Sequence, residues 1–147
     1  MNMKSIWMAL PCALAALTVS AMADDLIQPG LWKVTSTTAM NGASTPPQAK
    51  ARCLTPEQTG DIGKTFGPVA ATVNSDCEPA KPELAGRQLK WRLQCKGQMD
   101  MAVAADFNFD SPVHYTATIA SKAWMAGALI SDVKTELEGE RVGDCQP

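Results

Sequence analysis

The chain has 147 residues, a formal net charge of −2 and 46% apolar residues. That length suits one compact domain with a core of its own. The weakly acidic balance excludes the clustered basic footprint of a nucleic-acid binder and offers an anionic membrane nothing to attract.

Residues 1–23 have the build of an export signal. Lys4 supplies the charged start, Ile6 to Val19 is an apolar run broken only by Pro11 and Thr18, and Ala21-Met22-Ala23 is a small-x-small cleavage site. The run is too short, and too soon followed by polar residues, to be a membrane-spanning helix. A mature protein of residues 24–147 would begin at Asp24, outside the reducing cytoplasm. Removing Lys4 with the leader takes 13 basic residues to 12, leaves 15 acidic ones and sets the net charge at −3. No later apolar run is long enough to span a bilayer.

Cys12 goes with the leader. A lipid-anchor reading fails because Pro11 precedes it where a small residue is needed. Cys53, Cys77, Cys95 and Cys145 remain. Four cysteines in an exported chain predict two disulfides, and the absence of close C-x2-4-C pairs argues against structural zinc. Three pairings are open. Chain order and the predicted strand layout favour Cys53–Cys77 and Cys95–Cys145, the first closing a loop worth about 3.5 kcal/mol.

Pro29-Gly30 leads into a strand over Leu31 to Met40, where Trp32 and Val34 face one way and Lys33 and Thr35 the other. Asn41 to Gln48 is loop, and a second strand covers Ala49 to Leu54. Thr55-Pro56-Glu57-Gln58 starts a helix, with Thr55 as cap, Pro56 in the first turn and Gln58 completing a capping box. Gly60, Gly63 and Gly67-Pro68 keep that helix short. An irregular stretch then runs to Pro82.

The second half alternates cleanly. Leu89, Trp91, Leu93 and Cys95 form one side of a strand. After a turn at Lys96-Gly97-Gln98, Met99, Met101, Val103, Ala105, Phe107 and Phe109 alternate with polar or small residues over twelve positions. Asp110-Ser111-Pro112 turns the chain into Val113, Tyr115, Ala117 and Ile119. Met125-Ala126-Gly127 turns it into a last strand with Leu129, Val133 and Leu137 on one side. The predicted fold is mainly β: about seven antiparallel strands in an up-and-down meander, strongly coiled or a partial barrel, with one short helix after the second strand.

Five blocks stand out together: Pro29-Gly30-Leu31-Trp32, Cys53-Leu54-Thr55-Pro56-Glu57, Asp76-Cys77, the Trp91 to Cys95 strand, and Gly139-x-Arg141-x-Gly143-Asp144-Cys145. In this the chain resembles a family of small exported proteins of Gram-negative bacteria known only as a domain of unknown function. The resemblance implies a periplasmic location, the four-cysteine framework and a β-rich domain, and carries no activity. It also implies a Met- and Pro-rich loop after the first strand. Here that loop, residues 40–47, has a single Met, which weakens any metal role.

Candidate chemistry is sparse. His114 is the only histidine, and its neighbours Asp110 and Ser111 invite a triad, but residues around one tight turn do not supply triad geometry. It falls on a polar strand face with Thr116 and Thr118, as a surface histidine. Asp106, Asn108 and Asp110 match half a calcium loop, which then fails at Ser111 and Ala117 where glycine and glutamate are required. Asp132, Glu136, Glu138 and Glu140, interrupted by Lys134, form an acidic stripe that suits a solvated face or a guard against edge-to-edge pairing. Met99, Met101 and Met125 would suit a soft metal, yet alternating Met on an apolar face is usually core. Trp32 and Trp91 are expected in the core. Trp124 points outward beside Lys122 and is the candidate anchor for a partner.

No phosphate loop, dinucleotide fingerprint, C-x-x-C pair or nucleophile elbow is present. The reading favoured is a non-enzymatic periplasmic binding domain, monomeric and without cofactor or metal. It would hold a small apolar molecule against Met101, Val103, Phe107, Tyr115, Ile119 and Val133. The alternative is a protein-interaction or envelope-maintenance module using Trp124 and the 41–48 loop. An enzyme or a copper binder has least support.

Overall fold

The computed structural model describes residues 25–69, 75–78 and 80–146. The export leader predicted over 1–23 lies outside the described residues. Among the described residues, nine strands form one antiparallel sheet. They are β1 (Gly30–Met40), β2 (Ala43–Ser44), β3 (Gln48–Leu54), β4 (Ser75–Cys77), β5 (Glu83–Ala85), β6 (Gln88–Gly97), β7 (Asp100–Ser111), β8 (His114–Met125) and β9 (Ala128–Gly143). Six of these are long, close to the expected seven, and the remaining three, β2, β4 and β5, are pairings of two or three residues. Segments that short carry no period to detect.

Strands β6 to β9 form the predicted meander, each joined to the next by a tight turn. The long strand β1 then lies antiparallel along β9, from Leu31 opposite Gly143 to Met40 opposite Val133. The order is β2-β1-β9-β8-β7-β6-β4, with β3 also on β1 and β5 also on β6. The two ends of the sheet do not pair, so it is coiled but not closed into a barrel. Strand β9 is therefore central, and its acidic stripe is not guarding an edge.

The helical segment begins as the sequence predicts. The Thr55 side chain accepts from the Gln58 amide, and the Thr55 amide donates to Gln58 Oε1 at 2.9 Å. One helix was expected, but two single-turn helices form, α1 (Pro56–Gly60) and α2 (Ile62–Thr65). Asp61 ends the first and caps the second by accepting from the Lys64 amide at 3.0 Å. A side chain that bonds its own local backbone restarts the helix at a new angle. That angle brings Ile62 and Phe66 onto the sheet.

The alternation predicted for the strands sets the two faces of the sheet. Trp32, Leu89, Trp91, Phe107, Phe109 and Tyr115 lie on the inner face and are buried. Phe66 closes over them, edge-on to Phe107, Phe109 and Tyr115 with ring centroids 5.3 to 5.4 Å apart. Such aromatic pairs contribute about 0.5–1.5 kcal/mol each beyond the area they bury. The buried indole of Trp91 donates to the Phe66 carbonyl at 2.8 Å, and that of Trp32 to the Gln28 carbonyl at 3.1 Å. Among the described residues no buried side-chain nitrogen or oxygen lacks a partner.

The disulfides pair Cys53 with Cys145 and Cys77 with Cys95. This corrects the predicted Cys53–Cys77 and Cys95–Cys145 pairs. Cys77 and Cys95 are direct cross-strand partners on β4 and β6. Cys53 is level with Leu31, and Leu31 is level with Gly143 on the other side. Cys53 and the tail after Gly143 therefore meet at the start of β1. Chain order misled because it assumes neighbours in sequence are neighbours in space, whereas β1 recruits the last strand.

Three of the five sequence blocks behind the family resemblance, those around Gly30, Cys53 and Arg141, meet at this corner, while Asp76-Cys77 and the Trp91 to Cys95 strand pair on β4 and β6 at the other end of the sheet. Arg141 Nε donates to the Pro29 carbonyl at 2.8 Å, and its guanidinium pairs with Asp144. A Cβ on Gly30, which has φ of +143°, would fall 2.6 Å from Arg141 Nε and 2.5 Å from the Gly143 carbonyl oxygen. Only glycine leaves the arginine room. These residues lock the first strand to the last.

Candidate functional site

Two depressions lie on opposite faces of the sheet. The outer one, about 1230 Å³, is a broad trough over Thr37, Asn108, Thr116, Thr118, Glu136 and Glu138. The inner one, about 660 Å³, is a groove between the Phe66 segment and strands β1, β9 and β8. The outer trough is larger, but hydroxyls and charges make up most of its lining. Small-molecule sites are mostly apolar with few polar groups, which fits the inner groove.

The groove floor is built by the period of two. Val34 on β1, Leu137 on β9, Ile119 and Tyr115 on β8 and Phe107 on β7 share the inner face, and Trp91 and Phe66 form the far wall. Tyr115 lies flat on Gly139, where an added Cβ would sit 2.1 Å from its Cε1. Burial pushes the Tyr115 hydroxyl above its ordinary pKa, with Arg52 partly opposing that. The polar groups of the lining include Ser36, Gln48, Lys50, Arg52, Thr65 and the Tyr115 hydroxyl, and no carboxylate lines it among the described residues.

Of the six residues predicted to line a ligand site, Phe107, Tyr115 and Ile119 line the groove. Met101, Val103 and Val133 lie outside it, half-buried further along the same inner face. The lining residues absent from that predicted set include Val34, Phe66, Trp91 and Leu137 and the two cations Lys50 and Arg52. The two cations alternate with Ala49, Ala51 and Cys53 on β3 and share the face of Val34 and Trp32, their cross-strand partners. The signal was present as alternating cations, but the face was legible only once β3 was known to pair with β1.

His114 stands on the outer face at the start of β8. Its Nδ1 meets Asp110 Oδ1 at 2.8 Å and its Nε2 meets Glu138 Oε1 at 3.1 Å. The Glu138 hydrogen bond, then the Asp110 one, holds its pKa above 6.5, while Asp110 is lowered first by its bond to the histidine. Glu140 is also close: one ligand atom each from His114, Glu138 and Glu140 fall within 4.8 Å of one another. In a triad one imidazole nitrogen meets the carboxylate and the other the nucleophile. Here carboxylates hold both nitrogens, and Ser111 Oγ accepts from the Val113 amide at 3.4 Å. The arrangement is a clamp across β7, β8 and β9.

The remaining candidates have separate surroundings. Asp106 pairs with Lys90 at 3.1 Å, Asp132 with Lys122 at 3.4 Å and Glu136 with Lys134 at 2.8 Å. Asp106, Asn108 and Asp110 are spread along strand β7, as alternation requires. Met101 packs on the core, whereas Met99 and Met125 are exposed at the turns. Trp124 is half-buried on the outer register beside a β-bulge, which places Leu129 opposite it. Leu129 was expected to share a side with Val133; the register shift between Ala123 and Trp124 changes its neighbours. Met40, Met99, Met125, Leu129 and Ile130 leave an exposed apolar rim at this end of the sheet.

Among the described residues no helix is long and apolar enough to cross a membrane. No curated protein and no solved structure matches the chain. A family model described as a protein of unknown function (DUF3617) matches residues 27–145, the span that runs from the buried Ile27 to the cysteine of the closing corner, so the chain belongs to that family.

Proposed function

We propose that the chain is an exported, periplasmic binding protein without catalytic activity, and that it holds a small apolar molecule in the inner groove. The observation that carries this reading is the groove itself. It has a volume of about 660 Å³ and a floor of Val34, Ile119 and Leu137 beneath aromatic walls. Exposed apolar surface of this shape is costly to keep unless it serves a ligand. The two disulfides fit an oxidising compartment.

The test is fluorescence titration with N-phenyl-1-naphthylamine, an uncharged apolar probe that brightens on leaving water. Saturable binding is expected for the native chain and loss of binding for Ile119→Trp, which fills the groove. Equal binding by both proteins would refute the reading.

The apolar rim around Trp124 supports a second reading, a protein-interaction surface. Under that reading Met125→Asp and Leu129→Asp abolish crosslinking to envelope proteins while probe binding stays intact.

A further inference from the structure

We propose that the ligand of this groove is a long-chain fatty acid, with its carboxylate held at the β3 rim by Lys50 and Arg52 and its tail laid along the inner face. The proposal rests on the apolar-ligand reading and names its chemistry. The protein is net acidic, yet among the described residues the groove is lined by two cations and no carboxylate. The outer trough, by contrast, mixes both signs, with Asp106, Glu136 and Glu138 beside Lys81, Lys90 and Arg92. Neither Lys50 nor Arg52 forms an ion pair among the described residues, whereas five other basic side chains do, as does His114. The Arg52 guanidinium stacks over the Phe66 ring, 5.6 Å from its centroid, which holds it at the mouth. Lys50 and Arg52 line the groove from alternate positions on one face of β3, and guanidinium and ammonium groups recognise a carboxylate by charge-assisted hydrogen bonds.

The rest of the inner face fixes the shape of the tail. Val34 is level with Lys50 on one side and with Gly139 on the other, and Gly139 is level with Tyr115. Further along, Leu137 is level with Ala117, Thr135 with Ile119 and Val133 with Ser121, and Ser121 is level with Val103. From Gly139 to Val133 the strand advances ~20 Å at ~3.3 Å per residue. That exceeds the ~15 Å of one leaflet of a bilayer's hydrocarbon core, so a single extended acyl chain fits the lane. One cationic end and a lane carrying Val34, Ile119, Leu137 and Val133, with the Thr135 and Ser121 hydroxyls between them, suit a fatty acid. The half-buried Val103, Val133 and Met101 then have a use: they receive the end of the tail.

The test compares cis-parinaric acid with its methyl ester on the full exported chain, reading energy transfer from tryptophan to the polyene. The acid is expected to bind about tenfold more tightly than the ester, the difference one charge-assisted contact makes. The Lys50→Gln/Arg52→Gln double variant is expected to bring acid and ester to the same affinity. Oleate is expected to displace the acid, and oleyl alcohol to displace it poorly. Equal binding of acid and ester by the native chain, or displacement by oleoyl lysophosphatidate more tightly than by oleate, would overturn the carboxylate assignment while the groove reading stands. Failure of both probes to bind would overturn the groove reading itself. Circular dichroism of the double variant checks that β3 remains in place.

Discussion

Gly139→Ala is the substitution whose effect follows most directly from the packing. The new Cβ would lie 2.1 Å from Tyr115 Cε1 and 2.4 Å from Cζ, well inside contact distance. The ring is held on three sides. Tyr115 is 3% exposed and touches Trp32, Phe66 and Phe109 at centroid distances of 5.6, 5.3 and 5.9 Å. Either the tyrosine leaves its rotamer or β8 and β9 move apart. Overpacking of this kind costs about 1–3 kcal/mol. The lower backbone entropy of alanine offsets about 0.5–1 kcal/mol of that, and disturbed aromatic pairs add a similar amount back. The net expectation is a loss of about 2 kcal/mol.

Urea unfolding with both disulfides intact measures it, as a fall of about 1 M in the midpoint at unchanged slope. Two controls separate the clash from a general aversion to alanine. At Gly143 an added Cβ would meet nothing within 4 Å, so Gly143→Ala should change stability by less than about 0.5 kcal/mol. In a Tyr115→Leu background, Gly139→Ala should become nearly neutral, because the two residues are coupled only through the ring. A Gly139→Ala protein as stable as the native one would refute the argument.

Two further predictions concern cross-strand ties. Peptide mapping without reduction should recover Cys53 linked to Cys145 and Cys77 linked to Cys95, and any Cys53–Cys77 peptide would contradict the sheet order. Their sequence separations are 92 and 18 residues. Removing the first pair should therefore cost about 4.6 kcal/mol and the second about 3.2 kcal/mol on the chain-entropy model. The His114 clamp predicts a pH dependence. NMR titration should place His114 above 6.5, and Glu138→Gln should lower it more than Asp110→Asn, because the Glu138 bond is the larger cause. A raised histidine stabilises fully below its unfolded pKa and loses that contribution as pH rises through the folded value. The lowered Asp110 contributes above its ordinary 3.8 and loses it as pH falls through the folded value. The clamp is therefore strongest between the acid range of Asp110 and the neutral range of His114, and His114→Gln should flatten stability across both edges.

The long strands were legible because period-two alternation is local: each residue of β6 to β9 reports its face through its neighbours two places away. The helix start was legible for the same reason, since Thr55 and Gln58 bond each other three residues apart. The groove was legible in half. Phe107, Tyr115 and Ile119 declare an apolar face, but which part of that face stays open depends on where Phe66 lands. That landing follows from the break at Asp61 between the two helical turns. Lys50 and Arg52 could be assigned to the groove face only once β3 was placed beside β1.

By itself the sequence determined the family, the strands with their inward and outward faces, the capped helix and the number of disulfides, all of which follow from composition and short-range spacing. Only the tertiary structure decided that β1 lies on β9, that Cys53 therefore meets Cys145, that Glu138 reaches His114 from 24 residues away, and that two cations stand at the mouth of an apolar groove. Alternation says which side of a strand is apolar and is silent on which strand lies beside it. That choice is made by the burial of the whole inner face, when the coiled sheet brings its first and last long strands together.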